Sequence, residues 1–277
     1  MGLTRPGHGP DTSTTGGGTR AEHSGPAVRS TYPLYEFALT TVLLFVVVTL
    51  VRWLMAPGST LLIADVHIAL WVVGVCVGAV LLLLIHSSWG RRSGAHMNPA
   101  VSVALWLMGA FPGRWVLPYA AAQLAGSLAG AGLARLAWGR AVSAAPVGYA
   151  AVQPAPSWNT SMVFLAEAGC LVAVTLLIGF FLAYPTRSRR LPLCLAAATA
   201  VIVGVLGPLS GGATNPARQF GPALLSGTYG SLAVYLIAPV LGAALGAGIH
   251  RLLQRYGPAR RVPTYRLAPG STDPDPA

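Results

Sequence analysis

The tripeptide Asn-Pro-Ala occurs twice in the chain, as Asn98-Pro99-Ala100 and as Asn215-Pro216-Ala217. Asn is a favoured N-cap and Pro is best tolerated at the first helical position, so each tripeptide predicts the start of a helix. An asparagine that caps with its side-chain oxygen keeps its side-chain N–H groups as donors. These residues can therefore hydrogen-bond the oxygen of a water molecule or a hydroxyl group.

Both tripeptides follow small, loop-like residues and precede short apolar segments. The loops are Ser93–Met97 and Ser210–Thr214. The segments that follow, Val101–Met108 and Gln219–Leu225, are shorter than the roughly 20 apolar residues that span a membrane. We expect two half-helices, each entered through a re-entrant loop. Non-helical backbone is tolerated inside a membrane only where it packs against protein or lines a water-filled cavity. The two re-entrant loops therefore predict a polar path through the protein.

The composition is that of a multi-pass membrane protein. Hydrophobic residues make up 54% of the chain and charged residues 9%, with a mean hydropathy of +0.62, whereas soluble domains are about a quarter charged. The apolar windows are Leu34–Leu54, Leu62–Ile85, Trp115–Trp138, Met162–Tyr184, Leu191–Leu209 and Tyr229–Leu253. The predicted fold class is an all-α membrane protein with six transmembrane helices and two re-entrant half-helices.

The arginines predict how the chain is oriented, because short loops rich in Lys or Arg stay cytoplasmic. The chain has no lysine, and an internal N-terminus places fourteen arginines inside against Arg52, Arg135 and Arg140 outside. We therefore expect both termini in the cytoplasm and the protein in the plasma or inner membrane. The net charge of +11 fits this asymmetry and contact with anionic lipid, so nucleic acid is not expected as a partner.

The sequence predicts one membrane domain at residues 34–253, between a disordered tail at 1–33 and a Pro-rich tail at 254–277. The domain divides into halves at about residues 34–138 and 162–253 that repeat one another. Tyr119, Gln123 and Gly126 recur after 116 residues as Tyr235, Pro239 and Gly242. With three spans in each half, the halves lie in opposite orientations, and an inverted repeat of this kind places its site at the membrane midplane.

The segments Ser93–Val101 and Asn215–Ala223 resemble the two signatures of the major intrinsic protein family, the aquaporins and glycerol facilitators. The resemblance covers roughly Leu34–Leu253. It implies one pore per subunit, usually in a homotetramer. The sequence has no Ser/His/Asp arrangement, no Cys or His metal spacing and no phosphate-binding Gly loop, so no enzymatic activity, cofactor or metal is expected. The Gly207–Gly211 and Tyr235-Leu236 segments resemble the plant nodulin-like branch, whereas Gln219 replaces the aspartate typical of glycerol facilitators.

In such a pore the two half-helix N-termini meet at the centre of the membrane. Each carries about half a positive charge in a low-dielectric setting, so cations and protons face a barrier. The carbonyls of Gly94, Ala95, His96 and Met97, and of Gly211, Gly212, Ala213 and Thr214, would form a ladder of acceptors. Neutral molecules with both donors and acceptors suit this lining.

Four ionisable residues in or beside the predicted spans are expected to serve the pore. Arg218 is a charged residue within the membrane, and such residues are presumed to have a functional role. In the family, the matching arginine lines the external constriction. Glu36 and Glu167 are predicted to accept hydrogen bonds from the loop backbones. His96 could act as a pH sensor, although a loop-fixing hydrogen bond fits the family pattern better.

Counting back from the two asparagines places Gly78, Val203 and Gly212 beside Arg218 at the family's constriction. Water-specific members of the family have a large aromatic residue and a histidine at two of these positions. In this chain Gly78 and Val203 stand in their place. The hypothesis is a wide filter that passes glycerol, urea and undissociated boric, silicic or arsenous acid together with water. The alternative is a water-selective aquaporin.

Other functional classes have less support. Many secondary transporters are inverted repeats, but the chain offers no buried Asp or Lys pair for ion coupling. A structural, junction-forming homologue stays open. Cys76, Cys170 and Cys194 fall within predicted spans and are expected to be small buried residues, not metal ligands or disulfide partners.

Overall fold

The computed structural model describes residue 2 and residues 30–256, and this part of the chain is helical with no strands. The predicted tails at 1–33 and 254–277 lie almost entirely outside the described residues. The helices are α1 (Tyr32–Met55), α2 (Val66–His86), α3 (Ser88–Ser93), α4 (Pro99–Leu107), α5 (Val116–Trp138), α6 (Thr160–Leu182), α7 (Pro185–Ser188), α8 (Leu191–Leu206), α9 (Pro216–Ser226) and α10 (Leu232–Tyr256).

Five of these helices are long and apolar enough to cross a membrane: α1, α2, α5 with its flanking 3₁₀ turns, α6 and α10. The remaining predicted span, Leu191–Leu209, forms the apolar helix α8, which ends at Leu206 and has 16 residues. At 1.5 Å per residue it is about 24 Å long, short of a hydrocarbon core of about 30 Å. The chain continues from α8 as the non-helical segment that leads to the second Asn-Pro-Ala.

The packing of the helices repeats between the two halves. Helix α1 packs on α5 as α6 packs on α10, and α2 packs on α8 across the centre of the molecule. The half-helix α4 packs mainly on α10, and the half-helix α9 packs mainly on α5. Each half-helix is therefore held mainly by the last long helix of the other half, as an inverted repeat requires.

Glycines allow the paired helices to approach closely at matched points. A Cβ atom added to Gly126 on α5 would lie 2.5 Å from the carbonyl oxygen of Phe37 on α1. A Cβ atom on Gly242 of α10 would lie 2.1 Å from the carbonyl oxygen of Ala168 on α6. Helix association in membranes depends on such close backbone packing, so these glycines set the separation of the helices that carry the site.

Gly242→Ala should therefore destabilise the protein. The added methyl group would overlap the Ala168 carbonyl, and overpacking of this kind costs about 1–3 kcal/mol, or roughly 3–10 °C in the midpoint of thermal unfolding. The measurement is thermal unfolding of the purified protein in detergent. Gly248→Ala on the same helix is the control, because no atom lies within 4 Å of its added Cβ. Equal shifts in the two variants would contradict the packing argument.

Candidate functional site

The two half-helices begin at the asparagines, as the sequence predicts. Asn98 is the N-cap of α4, and its Oδ1 accepts a hydrogen bond from the Ala100 N–H at 2.9 Å. Asn215 is the N-cap of α9, and its Oδ1 accepts from the Ala217 N–H at the same distance. Pro99 and Pro216 occupy the first helical positions. The prolines and alanines of both tripeptides are buried behind the asparagines.

Each asparagine also donates a hydrogen bond to the re-entrant loop of the other half. Asn98 Nδ2 donates to the Thr214 carbonyl oxygen at 3.0 Å, and Asn215 Nδ2 donates to the Met97 carbonyl oxygen at 2.8 Å. An amide nitrogen carries two hydrogens, so each asparagine retains one N–H. The two half-helix N-termini are thus joined to each other and still present one donor each.

Glu36 on α1 organises the first re-entrant loop. Its Oε1 accepts from Ser93 Oγ at 2.7 Å and from the His96 N–H at 3.0 Å. Its Oε2 accepts from the Met97 N–H at 2.7 Å and from Gln123 Nε2 at 2.8 Å. The carboxylate is fully buried. It therefore supplies the acceptors that the unwound backbone would otherwise lack at this depth.

Glu167 on α6 does the same for the second loop. Its Oε1 accepts from Ser210 Oγ at 2.8 Å and from the Ala213 N–H at 3.1 Å, and its Oε2 accepts from the Thr214 N–H at 2.5 Å. The halves differ at one contact, because Pro239 stands where the first half has Gln123 and has no side-chain donor. Both carboxylates thus have the loop-supporting geometry that the sequence predicts.

The matched tyrosines also hold these loops. Tyr119 Oη donates to the Ser93 carbonyl oxygen at 2.8 Å, and Tyr235 Oη donates to the Ser210 carbonyl oxygen. His96 lies against Tyr119 and Phe111, with ring centroids 5.0 and 4.7 Å away, and its Nδ1 is 2.9 Å from Ser102 Oγ. The His96 ring is therefore packed and hydrogen-bonded beneath its own loop.

A cavity of about 340 Å³ passes between the two asparagines. Its lining includes Val66 and Ile85, which lie near opposite ends of α2. Their separation along the helix is roughly 28 Å at 1.5 Å per residue, close to the thickness of a hydrocarbon core. Asn98 and Asn215 line the same cavity as these residues from both ends of α2.

The cavity has a polar side and an apolar side. The polar side comprises the two loops and Arg218, and the apolar side comprises aliphatic residues on α1, α2, α6 and α8. From the first loop, Ala95, His96 and Met97 line it, and from the second Gly211, Gly212, Ala213 and Thr214. Gly94, predicted as the first carbonyl of the ladder, is absent from the lining. It ends α3 in a left-handed conformation with φ 93°.

Arg218 lies one turn into α9 and faces the same cavity. Its Nη1 donates a hydrogen bond to the Ala150 carbonyl oxygen at 2.7 Å. That carbonyl belongs to the loop between α5 and α6, which the sequence did not connect with the site. Val203 and Gly212 line the cavity as well, so three of the four predicted filter residues share one space with both asparagines.

Gly78, the fourth predicted filter residue, is not part of the cavity lining. It packs against α8, where an added Cβ atom would lie 2.4 Å from the Ala196 carbonyl oxygen. The count back from Asn98 ran without gaps through Ser88–Ser93, which forms the separate helix α3, and so lost the register. On α2 the lining begins at the N-terminal end with Val66 and Leu70 and continues with Val73. Because α2 is apolar on every side, periodicity could not reveal its pore face.

Comparisons with known proteins agree with this architecture. The family model described as Major intrinsic protein matches residues 28–250. A propanediol uptake facilitator of Citrobacter freundii is 33% identical over 70% of this chain and 84% of its own. A glycerol uptake facilitator protein of Pseudomonas aeruginosa is 32% identical over 78% and 87%. Aquaporin NIP1-3 of Oryza sativa subsp. japonica is 36% identical over 65% and 62%.

Among solved structures, the aquaglyceroporin from Plasmodium falciparum superposes with a TM-score of 0.64 at 22% identity, over 79% of this chain and 94% of that one. At this identity the likeness is one of fold. The family match and the apolar helices identify a multi-pass integral membrane channel, not an enzyme. The chain belongs to the major intrinsic protein family.

Glu167→Gln should destabilise the protein through the second loop. A glutamine has one acceptor oxygen, so either the Thr214 N–H or the Ser210 and Ala213 donors lose their partner, at a cost of about 1–3 kcal/mol. The measurement is again the thermal midpoint in detergent. Asp65→Asn, which also removes one negative charge, is the control, because Asp65 is an exposed N-cap of α2 and Asn caps equally well. Glu167→Gln unfolding at the wild-type temperature would refute the scaffold role.

Proposed function

We propose that this protein is a passive channel that conducts water and small neutral solutes, glycerol among them, and excludes ions and protons. The observation that carries the proposal is the cavity that follows α2 from Val66 to Ile85 and is lined by both asparagines. A continuous lining of fixed polar groups on one side and aliphatic groups on the other suits a molecule that exchanges hydrogen bonds while it moves.

The charges beside the cavity support exclusion of ions. The N-termini of α4 and α9 point at one another, and each brings roughly half a positive charge to a low-dielectric region. Arg218 adds a full positive charge to the lining on the α9 side. A cation that has lost its hydration shell would be repelled by this positive field. An uncharged hydroxyl group is not repelled and can hydrogen-bond with the donors and acceptors of the lining.

The two intramembrane glutamates argue against a secondary transporter. A coupled transporter needs a carboxylate that can exchange a proton or a cation with the transport path. Neither Glu36 nor Glu167 lines the cavity, and all four of their carboxylate oxygens accept hydrogen bonds from the loops or their supporting side chains. Their role is to hold the path open and not to carry charge along it.

Val203 and Gly212 are small residues and leave one side of the outer constriction wide. Gly212 has φ +56°, a conformation that side chains rarely adopt, and an added Cβ atom would lie 3.0 Å from the Ile202 carbonyl oxygen. A bulky filter residue is thus disfavoured at this position. Two relatives are named as facilitators of propanediol and glycerol uptake, which supports a constriction wide enough for such solutes. By resemblance the proposed permeants extend to urea and undissociated metalloid acids.

A water-selective channel is the second candidate, and one observation favours it. On α2 the cavity is lined by larger residues, Leu70 and Val73 among them, and not by the predicted Gly78, which favours a narrower opening than the sequence suggested. The two candidates differ only in the size of solute admitted.

We further propose a homotetramer in the plasma or inner membrane with both termini cytoplasmic. Large apolar side chains on the outer faces of the long helices are exposed in the single chain, Leu117 by 78% and Leu136 by 81%. Lipid or neighbouring subunits would cover such faces. The arginine-rich loops support the orientation, since Arg91, Arg92 and Arg187 are then on the cytoplasmic side.

Stopped-flow light scattering on proteoliposomes tests the permeants. The wild type should pass water, glycerol, urea and boric acid faster than empty vesicles, without a gradient of a second solute. Water flux with no glycerol, urea or boric acid flux would establish the water-selective alternative. Val203→Trp should lower glycerol flux by roughly tenfold or more by filling the constriction. Val201→Trp on the exposed face of α8 is the matched control and should conduct as the wild type does.

Arg218→Val should weaken ion exclusion, because it removes the fixed positive charge from the cavity wall. The expected result is a proton leak roughly threefold or more above wild type in vesicles loaded with a pH-sensitive dye. Arg140→Val, at an exposed site in the loop after α5, loses the same charge and should leave the leak unchanged. A wild-type proton leak in Arg218→Val would show that this residue does not contribute to ion exclusion at the constriction.

A further inference from the structure

The residue after Arg218 is tied to the same external loop as Arg218. Gln219 Oε1 accepts from the Val152 N–H at 2.8 Å, and Gln219 Nε2 donates to the Val152 carbonyl oxygen at 3.0 Å. One side-chain amide thus satisfies both main-chain groups of a single residue. Gln219 is 1% exposed, and Val152 lines the cavity.

The segment Ala150–Ala155 is held in place at three points, all on α9 or on the non-helical segment 207–214 that follows α8. Arg218 donates to the carbonyl of Ala150, Gln219 pairs with Val152, and the Ala155 N–H donates to the Leu209 carbonyl oxygen at 2.8 Å. We call this stretch the external segment. Its first four residues line the cavity, so the anchors fix this part of the cavity wall.

The backbone at the start of the external segment is in an unfavourable conformation. Tyr149 has φ 55° and Ala150 has φ 59°, and both are non-glycine residues in the left-handed region. Such conformations persist only where the surroundings enforce them, and they concentrate at binding sites. Arg218 bonds the carbonyl of Ala150, the second residue of this strained pair, and Gln219 bonds Val152 two residues later. These bonds are placed to keep the Ala150 carbonyl directed at Arg218.

The first half of the molecule has no equivalent arrangement. The residue in the position of Gln219, one after Val101, is Ser102. Its Oγ contacts His96 Nδ1 and accepts from Gln123 Nε2, so it supports the first loop from within. The pairing of Gln219 with a distant loop is therefore specific to the external side, where Arg218 also lies.

We propose that Gln219 is a positioning residue for size selection at the external constriction. By fixing Val152 it fixes the carbonyl of Ala150, which in turn holds the Arg218 guanidinium against the wall. Gln219 itself does not line the cavity. Without it, the external segment and Arg218 move more widely, and the constriction admits larger polyols. This inference rests on the proposed function as a solute channel.

The test compares permeability to a five-carbon polyol with permeability to glycerol in proteoliposomes. Gln219→Leu loses both amide bonds, and the polyol-to-glycerol ratio should rise about threefold or more. Gln219→Glu keeps the acceptor for the Val152 N–H, so its ratio should lie between those of wild type and Gln219→Leu. Ser143→Ala, an exposed residue of the same loop outside the cavity lining, should keep the wild-type ratio. A wild-type ratio in folded Gln219→Leu, or an equal loss of both fluxes, overturns the proposal.

Hydrogen–deuterium exchange of the peptide that contains Val152 gives a second readout that needs no transport. Exchange of the Val152 amide should be about tenfold faster in Gln219→Leu than in wild type, and unchanged in Ser143→Ala. Unchanged exchange in Gln219→Leu overturns the positioning role even if wild-type glycerol flux is high. If Gln219→Leu does not fold, Gln219→Glu decides: a wild-type flux ratio in that variant overturns the proposal. Wild-type protein that passes no glycerol beyond empty vesicles refutes the solute-channel function separately.

Discussion

The whole site depends on satisfying backbone hydrogen bonds where the chain is not helical inside a membrane. Each re-entrant loop leaves main-chain N–H groups without helical partners, and lipid offers none. Glu36 and Glu167 meet this need with buried carboxylates that accept from consecutive loop residues. Because the loop N–H groups point at the carboxylates, the loop carbonyls are left to face the cavity. The polarity of the path follows from where these two acidic side chains are placed.

The loops in turn fix the half-helices, whose N-termini are joined by the two asparagines. Opposed helix dipoles repel, and the hydrogen bonds from Asn98 to Thr214 and from Asn215 to Met97 hold them together. Close helix packing at Gly126 and Gly242 supplies the rigid frame that keeps this contact in register. The positive field at the centre of the cavity is therefore a consequence of the fold and needs no charged residue at the crossing point.

Residues whose role is local were predictable from the sequence, and residues whose role depends on distant partners were not. The caps at Asn98 and Asn215 follow from their own neighbours, and a carboxylate such as Glu36 within an apolar span must find nearby donors. Gly78 was misplaced because α3 interrupts the count between α2 and the first motif. The Ala150 carbonyl and the pairing of Gln219 could not be foreseen, since every residue has a carbonyl and Val152 is 67 positions from Gln219.

The bonds that close the centre of the molecule also determine when the channel can exist during synthesis. Asn98 and Thr214 are 116 residues apart, and Met97 and Asn215 are 118 apart. Arg218 and Ala150, which are also hydrogen-bonded, are separated by 68 residues. A nascent chain that has inserted only its first half has neither the opposing dipole nor the guanidinium. Completion of the second half forms the contacts at the centre and the contact of Arg218 together, so the cavity acquires both asparagines and its fixed positive charge in the same step of membrane insertion.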